Sequence, residues 1–184
     1  YLNIVPPDWK TVRDKLKEGE AAIEMIRFQW KNKIYYSDTS YYAAYIITKN
    51  SSYPEVVYLT AAAADLENKY YKLYKNHIKF KTDDKESFNQ YWKPIIEKLT
   101  GIKKIYFSPD GIYHLINIAT LKNQESKQFL LDEIEIQYTT SGVDINNTAT
   151  ADIRTAVLIG RPSYKLETQQ LATIAKPLTR SYVR

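Results

Sequence analysis

His77 and His114 are the only side chains in this 184-residue chain whose ordinary pKa lies near neutrality, and there is no cysteine. His114 follows Ser108-Pro109-Asp110-Gly111, so Ser108, Asp110 and His114 bring the residue types of a hydrolytic triad into one short stretch. A triad is defined by spatial roles, and a tight turn accounts for the same residues more simply. Pro109 fixes φ, Gly111 can take a positive φ, and His114 is near enough to Asp110 for a local hydrogen bond. His77 lies at the end of a helical stripe, where the expected role is a partly buried structural imidazole or one that complements the carbonyl end of the helix. With two histidines, a metal site would need carboxylates from far along the chain, so no metal ligand is assigned. Asp83-Asp84 reads as a helix cap and Glu133-Ile134-Glu135 as an exposed strand face, and neither makes an acid/base pair. The five glycines, at 19, 101, 111, 142 and 160, are too far apart for a phosphate-cradling loop, so no nucleotide or other cofactor is expected. Without cysteine, these residues supply no disulfide, no thiolate zinc site and no thiol nucleophile.

The elements that would position these groups follow from periodicity. Asp8 caps a helix whose face carries Trp9, Val12 and Leu16 and which Gly19 ends. Residues 21–28 and 41–48 alternate, separated by a polar tip at Lys31-Asn32-Lys33, and predict adjacent antiparallel strands; Val56–Leu59 predicts a third. From Thr60 the period becomes helical, with Leu66, Tyr70, Leu73 and His77 on one face. Asp83 and Asp84 cap the next helix, on which Phe88, Tyr91, Trp92, Ile95, Ile96 and Leu99 recur at three- and four-residue steps, bent at Pro94 and stopped by Gly101. Ile102–Phe107, Glu133–Tyr138 and Ala156–Ile159 predict further strands, and 141–152, rich in Asn, Thr and Asp, a mobile loop. Strands mixed with amphipathic helices give an α/β fold: a layered domain with a mixed β-sheet flanked by helices.

Length and a 44% hydrophobic content fit one domain or two intimate subdomains with a real core. Many of the seventeen tyrosines are expected at half-buried positions, where ring and hydroxyl are both served. The net charge of +5 arises from 26 basic and 21 acidic residues and reads as a mixed solvated surface. The densest basic stretch, Lys69, Lys72, Lys75, Lys79 and Lys81 with interleaved tyrosines, has the composition of single-stranded nucleic-acid binders. Tyr70, however, shares a core stripe with Leu66 and Leu73, and nucleic acid ranks last among the partners considered. No segment approaches the roughly 20 apolar residues of a membrane span and no secretory leader is evident, so no membrane association is expected and the cytoplasm is the expected location. Asn50-Ser51-Ser52 and Asn146-Asn147-Thr148 match the glycosylation sequon, a motif common by chance.

The segment Ile102 to Leu121, IKKIYFSPDGIYHLINIATL, resembles the signature of CHAT domains, in which a strand ends in Pro-Asp-Gly, an apolar residue and often His follow, and an apolar segment closes with Leu. Leu16–Glu24 is similar to that family's opening strand, Tyr91-Trp92-Lys93-Pro94-Ile95 to the helix before the signature, Leu131–Tyr138 to the next strand, and Ala156–Tyr164 to the strand and turn after that. The resemblance implies a caspase-related cysteine peptidase, often attached to tetratricopeptide repeats, acting on protein or peptide substrates. In the family the catalytic His and Cys come later, each at the end of a strand, and no catalytic residue is carried onto a position here. Ser108, Pro109, Asp110, Gly111 and His114 then form a structural signature turn, and residues 1–184 the N-terminal, non-catalytic part of the domain, a pseudo-protease-like half. Its expected partner is the catalytic half. The alternative is a CHAT-like interaction module without catalysis.

Overall fold

The two longest alternating segments become the two longest strands. In the computed structural model, which describes residues 8–31 and 36–145, β1 (Glu20–Lys31) and β2 (Tyr36–Thr48) pair antiparallel, with Ala21 opposite Thr48 and Phe28 opposite Tyr41. β3 (Glu55–Tyr58) adds antiparallel to Ala43–Ile46 of β2. On the other side of β1, β4 (Lys104–Ser108) runs parallel to Glu20–Glu24, and β5 (Glu135–Tyr138) runs parallel to β4. The sheet order β3-β2-β1-β4-β5 is therefore mixed, as the sequence predicts. The described residues all belong to one compact unit.

Helices cover both faces, unequally. Ala21, Ile23 and Met25 of β1 alternate inward with Tyr42, Ala44 and Ile46 of β2 and Ile105 and Phe107 of β4 into the large core. That core is closed by α2 (Tyr71–Phe80) with its π-helical lead Asp65–Tyr70, by α3 (Ser87–Tyr91) and by α4 (Lys93–Ile96). On the opposite face, α1 (Trp9–Lys15) lays Val12, followed by Leu16, on Ala22, Ile47, Tyr106 and Ile145 in a smaller core. Being covered on both sides at this end, β1 reads as a nearly continuous apolar run from Ala21 to Ile23.

Several local expectations are corrected. α1 ends at Lys15 and not at Gly19, which takes φ +78 in the turn before β1. The expected stripe Leu66, Tyr70, Leu73, His77 breaks after Tyr70: Leu66 and Tyr74 are buried, while Leu73 and His77 are half-buried. The π-helical lead inserts an extra residue per turn, which rotates the following face by one position. Pro94 does more than bend its helix. It lacks the N–H that Gln90 would receive, and the chain breaks at Trp92 (φ −131, ψ −31) into α3 and α4. Of the two expected capping carboxylates, Asp84 does the capping, accepting from the N–H groups of Glu86 and Ser87, whereas Asp83 pairs with Lys122 at 2.9 Å. Glu133 leaves the expected strand and ends a short helix, α5 (Leu130–Glu133), because Asp132 accepts from the Phe129 N–H and starts a helical turn.

Tyr41, Tyr70 and Tyr71 are half-buried as expected and Tyr45, Tyr53, Tyr58 and Tyr138 are exposed, but five others lie deeper. Tyr42, Tyr74, Tyr91, Tyr106 and Tyr113 are all buried. Burial is tolerated because each hydroxyl has a partner: Tyr91 donates to the Leu66 carbonyl (2.7 Å), Tyr113 to the Tyr91 carbonyl (2.7 Å), and Tyr74 accepts from the Asn117 N–H (3.1 Å). Residues 32–35 and 146–184, with the predicted strand Ala156–Ile159, the second sequon and most of the predicted loop 141–152, lie outside the described residues. The described part of that loop, 141–145, holds a 3-10 turn, Gly142–Asp144, whose first N–H donates to Glu24 Oε1 at 2.7 Å.

Candidate functional site

β4 delivers Ser108 to the carboxyl end of the parallel pair β1–β4, where Glu24 is its partner, and Pro109 and Asp110 carry the chain off the sheet. Asp110 then caps a 3-10 turn, Gly111–His114. Its Oδ1 accepts from the Gly111 N–H at 2.8 Å, and its Oδ2 accepts from the Arg27 N–H at 2.7 Å. Arg27 lies beyond the last β1–β4 pair, so the Asp110 carboxylate satisfies a strand N–H that the ladder no longer reaches. Gly111 takes φ +55 and sits against the ring of Tyr42.

Tyr42 is the joint between this turn and the rest of the fold. Its side chain is fully buried, its hydroxyl oxygen accepts from the Ile112 N–H at 2.8 Å, and the same hydroxyl donates to Glu67 Oε1 at 2.8 Å. Arg27 grips that carboxylate with Nε at 2.6 Å and Nη2 at 3.4 Å. Burial above all pushes the Tyr42 hydroxyl up to about 12, so it remains a proton donor at any physiological pH. The Arg27 guanidinium, helped by the Tyr42 hydroxyl, holds the Glu67 carboxyl below its usual range, and the Arg27 pKa rises in return.

Ser108, Asp110 and His114 come close in sequence but are not joined. Ser108 Oγ donates to the Thr140 carbonyl at 2.9 Å. Both Asp110 oxygens accept from backbone N–H groups, the local Asp110–His114 hydrogen bond expected from the sequence does not form, and His114 is exposed. His77 places Nδ1 2.7 Å from Thr82 Oγ1 while its carbonyl accepts the Thr82 N–H, a helix-ending arrangement made with the left-handed Lys81 (φ 53). Glu133 accepts from Ser126 and Asn123, and Glu135 pairs with Lys104 at 2.9 Å, so the two carboxylates face different partners. Among the described residues no three His, Asp or Glu side chains converge to hold a metal ion, and no helix is long and apolar enough to cross a membrane.

Sequence reasoning found the turn but not its anchor. Tyr42, Arg27 and Glu67 carried no motif, and their roles depend on contacts across 25 to 83 positions of sequence. The anchor yields a pH prediction. Because the folded Glu67 pKa is depressed, its contribution to stability is present above the ordinary value of 4.5 and fades as pH falls through the folded value. Glu67→Gln is therefore expected to lower the urea midpoint at neutral pH, by a difference that shrinks as pH falls below 4.5. The contribution should be about 1 kcal/mol or less, because the Arg27–Glu67 pair is partly solvated. A wild-type-to-variant gap that does not shrink at all as pH is lowered below 4.5 toward acid unfolding would contradict this role.

The model of the CHAT domain family matches residues 86–181, just over half of the chain. The match begins in the turn before α3, so α4, β4, the Ser108–His114 turn, α5 and β5 fall within it, while β1–β3 and the similarity at Leu16–Glu24 precede it. No curated protein matches the chain.

Proposed function

The chain belongs to the CHAT domain family, and on that premise we propose that it is the non-catalytic scaffold half of a caspase-like cysteine peptidase of the cytoplasm. A stretch of CHAT domain without a single cysteine carries the proposal. Peptide-bond cleavage by this family's chemistry needs a thiolate beside an imidazole, and these residues supply no sulfur nucleophile. The His/Cys dyad then belongs to further polypeptide of the same domain, each residue at the end of a strand. The signature turn supports the reading from the other direction. Ser108 and Asp110 spend their polar groups on Thr140, Gly111 and Arg27, which suits a scaffold that fixes one sheet end. In this role the half packs against the catalytic half and shapes one wall of the groove that takes a protein or peptide substrate, with tetratricopeptide repeats as the attached sensor.

The experiment compares the longer protein with its cysteine intact and changed to Ala, scoring cleavage of itself and of co-encoded proteins. Cleavage by the intact form and none by the Ala form is expected, with residues 1–184 alone inactive toward both. Equal behaviour of the two forms would overturn the peptidase reading and leave an interaction module.

A further inference from the structure

Five lysines between positions 69 and 81, with no acidic residue among them, carry as much charge as the whole chain's net +5. Lys69, Lys72, Lys75 and Lys79 lie on α2 and the end of its π-helical lead, and Lys81 follows at the helix end; the acidic residues of the lead, Asp65 and Glu67, precede the run. Lys69, Lys72, Lys75 and Lys79 are all exposed. Their spacing of three, three and four residues puts them on one side of the rod, where like charges repel and destabilise a helix. The fold does not relieve that repulsion. Lys93, Lys98, Lys104 and Lys122 each have a carboxylate at 2.7 to 2.9 Å, whereas no ion pair reaches any lysine of the stripe among the described residues.

The stripe is also shaped. Lys69, Lys72 and Lys75 line an open groove of about 600 Å³ with the amide side chains of Asn68 and Asn76 and the ring of Tyr71. Glu67 borders it too, but its carboxylate is held by Arg27 and Tyr42. Three of the ammonium groups rest on rings of their own rod: Lys69 over Tyr70 at 4.7 Å, Lys75 over Tyr71 at 5.5 Å and Lys79 over Phe80 at 5.2 Å. These contacts limit the freedom of side chains that would otherwise lose it on binding.

We propose that this lysine stripe is a docking surface for an Asp/Glu-rich segment of a partner protein. Carboxylates on such a segment complement the unpaired ammonium groups, and the two Asn side chains add neutral donors and acceptors within the same groove. The rings decide against single-stranded nucleic acid, which needs free aromatic faces for its bases. Tyr71 is stacked on Tyr74 at 6.5 Å and carries Lys75, and Tyr70 packs on the core under Lys69. The inference stands apart from the peptidase reading, since it concerns only the described face of α2.

The test measures binding of a fluorescein-labelled glutamate-rich peptide, and of oligothymidylate of equal charge, to the full chain at physiological ionic strength. Reversal of Lys69, Lys72, Lys75 and Lys79 to Glu is expected to weaken peptide binding by at least about tenfold. Changing them to Gln should weaken it by about three- to tenfold, which keeps the test valid if the reversal disturbs folding. Reversal of Lys10, Lys17, Lys85 and Lys103, exposed lysines elsewhere, should change it by less than about twofold. The proposal is overturned if the peptide does not bind, if the second reversal weakens binding as much as the first, or if oligothymidylate binds the stripe more tightly than the peptide.

Discussion

Gly111→Ala is expected to destabilise the chain by more than about 3 kcal/mol, far beyond what its backbone angle alone would cost. A Cβ at this position would lie 2.1 Å from the Tyr42 hydroxyl oxygen and 2.9 Å from two ring carbons. Tyr42 has no room to retreat, because it is fully buried and its hydroxyl is held by both Ile112 and Glu67. Gly101→Ala provides the internal control. Gly101 takes φ +78, a comparably left-handed backbone, but nothing lies within 4 Å of its added Cβ, so only the strain of about 1–2 kcal/mol applies. In the double variant Gly111→Ala with Tyr42→Phe, the worst contact disappears while the ring carbons remain, and part of the loss should return. Urea midpoints of the four proteins decide the matter. If the two glycine variants lose equal stability, the Tyr42–Gly111 contact does not tie the turn to the sheet.

That contact marks the boundary of what the residues disclose in order. The Ser-Pro-Asp-Gly turn was legible because its chemistry is local: Pro fixes a dihedral, Asp caps its neighbour's N–H, and Gly alone takes the positive φ comfortably. The hairpin β1–β2 and the mixed character of the sheet were legible for a similar reason, since alternation reports which face of each strand is covered. The position of Tyr42 was not, because a tyrosine in an alternating strand looks the same whether its hydroxyl meets water or Ile112 and Glu67. The same limit explains the tyrosine depth. Composition prices the hydroxyl as a group that wants water, whereas Tyr91 and Tyr113 find backbone carbonyls at 2.7 Å inside the core. Errors in phase, at Tyr74 and at Glu133, came from single-residue events, a π-helical turn and a capping carboxylate, which periodicity averages away.

One aromatic cluster accounts for how a short parallel strand is held firmly enough to present a turn. Phe107 of β4 meets Trp92 at 5.7 Å, Tyr113 at 6.0 Å and Tyr138 at 5.8 Å, all tilted edge to face. Tyr113 extends the contact to Tyr42 at 5.7 Å and Tyr91 at 6.0 Å. Such pairs favour crossed geometries and contribute beyond their buried area. The helix break, the signature turn, β2, β4 and β5 are thus bound through rings, and a change in one member is felt at the turn's anchor.

Trp92→Ala is the sharpest probe of that coupling, with an expected loss of about 3–5 kcal/mol, or roughly ten degrees or more in Tm. Trp92 is fully buried at the junction of α3 and α4 and packs edge to face on Phe107, so truncating it opens a cavity among the rings. Its indole N–H is buried with no hydrogen-bond partner among the described residues, which makes Trp92→Phe informative. Phenylalanine keeps a ring against Phe107 and removes the unsatisfied donor, so the smaller volume and the relieved desolvation oppose each other and the net loss should stay below about 1.5 kcal/mol. Near-ultraviolet circular dichroism adds a second readout, since the Ala variant should lose aromatic signal from Phe107 and Tyr113 as well as from the deleted indole. An Ala variant that unfolds within about 1.5 kcal/mol of wild type, with its tyrosine signal intact, would show that the cluster does not hold β4 in place.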